Sequence, residues 1–231
     1  MPKIKKFEIP FENTKLIGDI IGIDSPQVIF LHGAGSADRT RFDLFRKLLN
    51  ERGITSCAID FIGHGETAGD LKTSSLEQRT NQVLATIEHL KVKEPFTIIA
   101  SSMSGYTAIK VLEHMSVKNL IFFAPALYNP EAYRIPFGSG FSEVIRKSHS
   151  WENTDAWGVL REFKGQLMIF SAENDQVVPD ELIEKLYASA IRSKQREIHI
   201  IKKANHPLVK YLNEHPENLD IVADKVAKAI L

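Results

Sequence analysis

Cysteine is almost absent from this 231-residue chain, where Cys57 stands alone. An internal disulfide is therefore excluded, and the apolar strand pattern around Cys57 marks a buried structural thiol instead of a reactive one. No apolar run approaches the roughly 18 residues of a membrane span. Lys3, Lys5 and Lys6 are followed by no apolar core of about 7–15 residues, so no secretory signal is expected. Net charge is missing too. The 29 Lys and Arg equal the 29 Asp and Glu, so no overall field draws the chain to nucleic acid or membrane. His and acidic residues lack the close spacing of metal ligands, and no metal site is implied. Gly33-x-Gly35 lacks the third glycine of a dinucleotide fingerprint, so no such cofactor is expected. Repeats and low-complexity segments are absent. The expectation is a cytoplasmic protein with residues 1–231 forming one domain.

What is present alternates between two periods. Residues 3–9 and 15–23 read as two strands joined by the Pro10–Asn13 turn. Short apolar runs then predict buried strands at Gln27–Leu31, Ile54–Ile59, Phe96–Ile99, Leu120–Ala124, Leu167–Phe170 and Glu197–Ile201. Between them lie helical patterns. Phe42, Leu44, Phe45, Leu48 and Leu49 mark one, and Leu76, Thr80, Val83, Ile87 and Leu90 another. Ala108, Val111 and Leu112 give a third, one starts near Pro179, and Leu219, Val222, Val226 and Ile230 close the chain. Strands alternating with helices imply an α/β fold with a mostly parallel central sheet covered on both faces. Chemistry in such sheets sits at the carboxyl ends of the strands.

One stretch breaks the alternation. From about 126 to 163 there is no strand pattern, and the aromatics Tyr128, Tyr133, Phe137, Phe141, Trp151 and Trp157 concentrate. A segment of that length inside a compact domain predicts a small cap, with Tyr128, Trp151 and Trp157 forming an apolar substrate pocket. The competing reading is a helical excursion whose aromatics complete the core.

Ile98-Ile99-Ala100-Ser101-Ser102-Met103-Ser104-Gly105-Tyr106 reads as a buried strand that turns abruptly into a helix. A serine at such a junction is held clear of the backbone at the positive end of a helix dipole. The turn is tight, so residues two before and two after the exposed serine must be small. Ser101 would have Ile99 and Met103 there, and Ser104 would have Ser102 and Tyr106. Only Ser102 is flanked by small residues on both sides, Ala100 and Ser104, with Gly105 next. A serine nucleophile needs a base, and the base needs a third group to hold its tautomer. Asp175 follows the strand at 167–170, and His206 follows the strand at 197–201.

In these features the chain resembles α/β-hydrolase-fold serine hydrolases. Four segments match in order: His32-Gly33-Ala34-Gly35, Asp60-x-x-Gly63-His64-Gly65, the turn at Ser102, and Asp175-x-x-Val178-Pro179 followed by His206. The resemblance implies Ser102 as nucleophile, His206 as general base and Asp175 as the acid that orients it. It implies an oxyanion hole from the backbone N–H groups of Ala34 and Met103. Both glycines of the G-x-S-x-G pattern are replaced, and Asn205 and Pro207 stand where a glycine and a bulky residue often flank the histidine. Glu173 and Asp180 compete for the acid role, and His64 for the base, although its place between glycines fits loop structure better. His32 is expected to brace the oxyanion loop, and His199 to be structural.

The expected reaction is hydrolysis of a small to medium acyl ester through an acyl-enzyme, needing no cofactor beyond water. A thioesterase or acyl transferase would use the same residues. A non-catalytic ligand-binding protein would use the same fold. The resemblance also makes an epoxide hydrolase or a dehalogenase less expected, because members of the fold doing that chemistry are expected to carry a carboxylate where Ser102 stands. Composition leaves the oligomeric state open.

Overall fold

The computed structural model describes residues 2–231. Its first two strands, β1 (Ile4–Phe11) and β2 (Thr14–Ile21), form a hairpin in which Phe11 faces Thr14. The remaining strands are β3 (Val28–Leu31), β4 (Ser56–Ile59), β5 (Phe96–Ser101), β6 (Val117–Phe123), β7 (Gln166–Ala172) and β8 (Gln195–Ile201). They make one sheet in the order β1-β2-β4-β3-β5-β6-β7-β8. β1–β2 and β2–β4 pair antiparallel, and every other pair is parallel.

The strand order explains where a site can form. From β3 the chain moves outward to β4, then crosses back over β3 to place β5 on its other side. The reversal opens a crevice between the carboxyl ends of β3 and β5, the usual ligand position in an open α/β sheet. His32–Gly35 leaves β3 at that point, and Ser102 leaves β5. All residues of β3, and five of the six in β5, are buried, which is why their sequences read as unbroken apolar runs.

Helices cover both faces, as the alternation predicts. One face carries α1 (Asp43–Glu51) and, from the chain end, α7 (Leu208–Glu214) and α8 (Pro216–Ile230). The other carries α2 (Leu76–Leu90), α3 (Ser104–Val111), α4 (Ser139–Ile145), α5 (Ala156–Glu162) and α6 (Asp180–Ser189). Three details differ from the periodicity. Leu44 is exposed, because it lies about 100° around the helix from the buried Phe45 and about 140° from the buried Leu49. Pro179 caps α6 in extended geometry instead of sitting in its first turn. The short α7, just after His206, carries too few residues to show a period of its own. Among the described residues, no helix is long and apolar enough to cross a membrane.

The segment between β6 and β7 is helical, with a 3-10 turn at Pro130–Ala132 followed by α4 and α5. Tyr128, Phe137, Phe141 and Trp157 bury against the α2–α3 side, so much of this aromatic cluster completes the core.

Beside β4 a buried ionic network locks the loop Asp60–Glu66. Arg39 binds Asp19 at 2.7 Å and Glu66 at 2.7 Å, and its guanidinium also grips Asp60, which is fully buried. Asp60 Oδ1 accepts from the Arg39 amide at 2.8 Å, and Oδ2 from the Glu66 amide at 2.8 Å. Arg46 completes the pairing of Asp19 at 2.5 Å. Gly65, at φ +52°, makes this approach possible, since a Cβ there would fall 2.2 Å from Asp60 Oδ2. Removing one partner of a buried ion set costs about 3–5 kcal/mol, because the others stay buried and unpaired. Arg39→Met should therefore lower unfolding stability by about that amount in a urea titration. A loss below about 1 kcal/mol would show the network to be dispensable.

Candidate active site

β5 ends at Ser101, and the next residue takes a conformation unusual for a side chain. Ser102 has φ +51°. Left-handed geometry costs a non-glycine residue about 1–2 kcal/mol and points its side chain away from the flanking backbone. The turn is held by the Ser102 amide donating to the Phe123 carbonyl at 3.0 Å. The Ser102 carbonyl accepts from Gly105 at 2.8 Å and Ala126 at 2.9 Å. Gly105 must be small, since a Cβ there would lie 2.8 Å from Pro125 Cβ. Ser104, the other small neighbour, is buried and donates to the His32 carbonyl at 2.5 Å. The steric argument that singled out Ser102 thus corresponds to close contacts at Ser104 and Gly105.

Two later loops meet this serine. Ser102 Oγ lies 2.9 Å from His206 Nε2, and His206 Nδ1 lies 2.9 Å from Asp175 Oδ2. Asp175 Oδ1 also accepts from the Val177 and Val178 amides at 2.8 and 2.9 Å. Burial opposes ionisation of Asp175, but the His206 bond and these two amides outweigh it and hold the carboxyl below its ordinary value. An ionised Asp175 only accepts, so Nδ1 carries the imidazole proton and Nε2 is left to accept from the serine hydroxyl.

Glu173 has another task. It binds Lys202 at 2.7 Å and the Lys203 amide at 2.8 Å, and Asn174 donates to the Ala204 carbonyl at 2.9 Å. These bonds tie the Asp175 loop to the His206 loop. Asp180 opens α6, and the His206 Nδ1 partner is Asp175 instead.

Two further backbone amides lie on the loop after β3 and on the turn after Ser102. Among the described residues, neither the Ala34 amide nor the Met103 amide donates to an acceptor in the chain. His32 Nε2 accepts from the Phe61 amide at 3.2 Å, which leaves Nδ1 to donate to the Gly33 carbonyl at 2.8 Å. His64 Nδ1 donates to the Ala37 carbonyl at 3.0 Å, while its Nε2 accepts from Arg79 Nη2 at 2.9 Å. Arg79 also reaches the Gly33 carbonyl at 3.3 Å. Sequence reasoning missed Arg79, which reads only as a polar position in an amphipathic helix. Burial, then the charge of Arg79, pushes His64 down to about 4 and His32 well below its ordinary value. His199 belongs to β8, where it stacks on Phe170 and bonds Glu197, far from this loop.

A cavity of about 340 Å³ opens over Ser102 and His206. Ala34, Met103 and Tyr128 are among its walls, with Phe42, Ile145, Val177 and Val209 as apolar surface. Trp151 and Trp157 do not line it. They pack edge to face at 6.3 Å with Lys185 over both rings, at the α6 side of the segment. Val177 carried a usable signal, being an apolar residue inside the polar loop after Asp175.

A family model described as serine aminopeptidase, S33, matches residues 24–154, more than half of the chain. Among curated protein sequences none matches. Solved structures do. A CIB-like hydrolase from Thermoplasma acidophilum is 18% identical with TM-score 0.73, over 99% of this chain and 100% of that one. An esterase of Pyrococcus furiosus is 20% identical with TM-score 0.72, over 99% and 92%. An esterase from Exiguobacterium antarcticum is 18% identical with TM-score 0.73, over 96% and 99%. At these identities the likeness establishes the fold.

The neutral histidines make a pH prediction. At pH 7 His64 is mostly neutral in both the folded and the unfolded chain. Below its ordinary 6.5, the unfolded chain gains a proton that the folded site refuses until about 4, so stability falls across that window. The His64 share should reach about 2–3 kcal/mol near pH 4, with His32 adding in the same direction. Asp175 acts lower, its contribution being lost as pH falls from its ordinary value through its depressed one. Denaturant titrations from pH 7.5 to 5 should give a shallower decline for His64→Gln, which keeps a donor and an acceptor without titrating. Equal slopes would refute the assignment.

Proposed function

The chain belongs to the serine aminopeptidase, S33 family of α/β hydrolases, and from that premise we propose that it hydrolyses small to medium carboxylic esters. Ser102 attacks the ester carbonyl, His206 Nε2 takes the hydroxyl proton, and Asp175 stabilises the imidazolium that forms. The Ala34 and Met103 amides receive the developing oxyanion, a kind of preorganised stabilisation worth about 10²–10³ in rate per donor. His206 then protonates the departing alcohol, and water, activated by the same imidazole, releases the acid from the acyl-enzyme.

The observation that carries this reading is the unbroken chain of contacts from Ser102 Oγ through His206 to Asp175, 2.9 Å at each link. It is supported by the two amides left without acceptors beside it. In this reading residues 1–231 form one domain, 126–163 its small cap, and Tyr128 a wall of the substrate pocket. Trp151 and Trp157 support the cap from outside that pocket.

An aminopeptidase must also hold a free N-terminal ammonium, which calls for an acidic side chain in the pocket. No Asp or Glu lines the cavity over Ser102. That favours an ester over a peptide with a free amino end. A thioester would meet the same residues, and a panel of oxygen and sulfur esters separates the two.

A fluorophosphonate should add once to the wild type and not to Ser102→Ala, as read by intact mass. Against p-nitrophenyl butyrate, Ser102→Ala should lower kcat by at least about 10⁴, and Asp175→Asn by about 10³–10⁴. Labelling of Ser102→Ala, or activity within tenfold of wild type, would overturn the proposal.

A further inference from the structure

A second cavity, of about 370 Å³, adjoins the first and shares Ala34, Met103 and Ile145 with it. Neither Ser102 nor His206 is in its wall. The departing alcohol must lie beside His206, so the acyl chain extends away from it. With the carbonyl oxygen between Ala34 and Met103, the direction away from His206 is toward this second cavity. The assignment therefore rests on the hydrolase reading above.

Its lining has a definite sign. Leu71, Phe137, Phe141 and Ile145 supply apolar surface suited to a methylene chain. The only charged residues are Lys72, Arg79 and Arg146, with no Asp or Glu. Over the whole chain cations and acids are equal at 29 each, so this wall is a local departure from balance. His64, also in the wall, is neutral, donating to the Ala37 carbonyl and accepting from Arg79, and so supplies no negative charge.

Arg79 is the informative member. It is 1% exposed, yet its bonding partners are the neutral His32 and Gly33 carbonyls and His64. Among the described residues its Nε has no hydrogen-bond partner. The guanidinium is 4.4 Å from the Phe61 ring and 5.5 Å from the Phe137 ring. Burial brings it down to about 10, the sign of a cation lacking a counter-charge. Buried charges are ordinarily paired, and among the described residues Arg79 meets no anion. Lys72 and Arg146 are exposed on the same cavity, where they can meet the end of a bound chain.

We propose that this second cavity is an acyl subsite for a chain ending in a carboxylate, held by Lys72 and Arg146 with Arg79 behind them. The substrate class is then a monoester of a dicarboxylic acid. Its methylenes lie on the Phe137–Phe141–Ile145 surface, and its free carboxylate supplies the negative charge that the wall lacks.

The test compares p-nitrophenyl hydrogen adipate with p-nitrophenyl hexanoate, which have the same number of acyl carbons and differ in terminal charge. Wild type should favour the adipate at least about fivefold in kcat/KM, through KM, and the preference should shrink in about 0.5 M NaCl. In Lys72→Gln/Arg146→Gln, whose exposed positions do not threaten folding, the adipate-to-hexanoate ratio should fall at least threefold. A second arm removes catalysis. Ser102→Ala should bind monomethyl adipate more tightly than methyl hexanoate by ligand-observed NMR, and the Gln pair should abolish the difference. Turnover of hexanoate with no adipate preference, or a ratio unmoved by the Gln pair, would overturn the subsite and leave ester hydrolysis standing. Preferential adipate binding without turnover of either ester would overturn hydrolysis and leave the subsite. Neither turnover nor preferential binding would overturn both.

Discussion

The geometry of the site depends on one backbone turn at the centre of the sheet. Ser102 stands at φ +51°, and three hydrogen bonds hold it there. Its amide reaches the last residue of β6, and its carbonyl bridges Gly105 on α3 and Ala126 just beyond β6. The strain of about 1–2 kcal/mol is thus borne by the joint between two buried strands and a helix. That joint cannot relax without moving the core, since β5 and β6 are packed on both faces. The same turn aims Oγ at His206 and leaves the Met103 amide facing the cavity without an acceptor.

A second constraint works through electrostatics. The loop after β3 is braced by His32, His64 and Arg79, and the braces depend on each other. Each imidazole must donate at one nitrogen and accept at the other: His32 between Gly33 and Phe61, His64 between Ala37 and Arg79. Protonation would turn the accepting nitrogen into a donor facing another donor. Burial and the Arg79 charge both oppose that step. Arg79 therefore holds the Gly33 carbonyl and also keeps the two histidines in the only state that fits their partners.

Much of this was legible in the sequence because it is local. Each residue of the proposed triad sits within a few positions of a strand end, and strand ends show as the close of an apolar run. Small residues around Ser102 were readable because the turn is a local steric problem. The Asp60-x-x-Gly63-His64-Gly65 motif was visible, but its reason was not. Asp60 is gripped by Arg39, twenty-one positions earlier, and Gly65 is small because Asp60 lies against it. Arg79 was invisible for the same reason, since its partners come from two other loops. Aromatic density in 126–163 signalled a packed segment, and which aromatics face the cavity depends on how α4 and α5 settle. Tyr128 reaches it, whereas Trp151 and Trp157 turn toward α6 and Lys185.

Net neutrality conceals how the charges are sorted. Asp19, Asp60 and Glu66 are committed to Arg39 and Arg46 beside β4. Asp155 is held by Lys110 and Tyr106 behind α3, and Glu173 by Lys202 between the two loops. Asp175 stands behind His206 and faces no open volume of its own. With these acids committed to structural pairs or to the imidazole, what faces the two cavities is positive. In an apolar recess such a field is screened less than on the open surface, so a few cations there set the sign of a preferred ligand. The fold thus separates two uses of charge. Acids paired with arginine or lysine hold the loops in place, and Lys72 and Arg146, with no acid in their cavity wall, are the cations open to the ligand we propose.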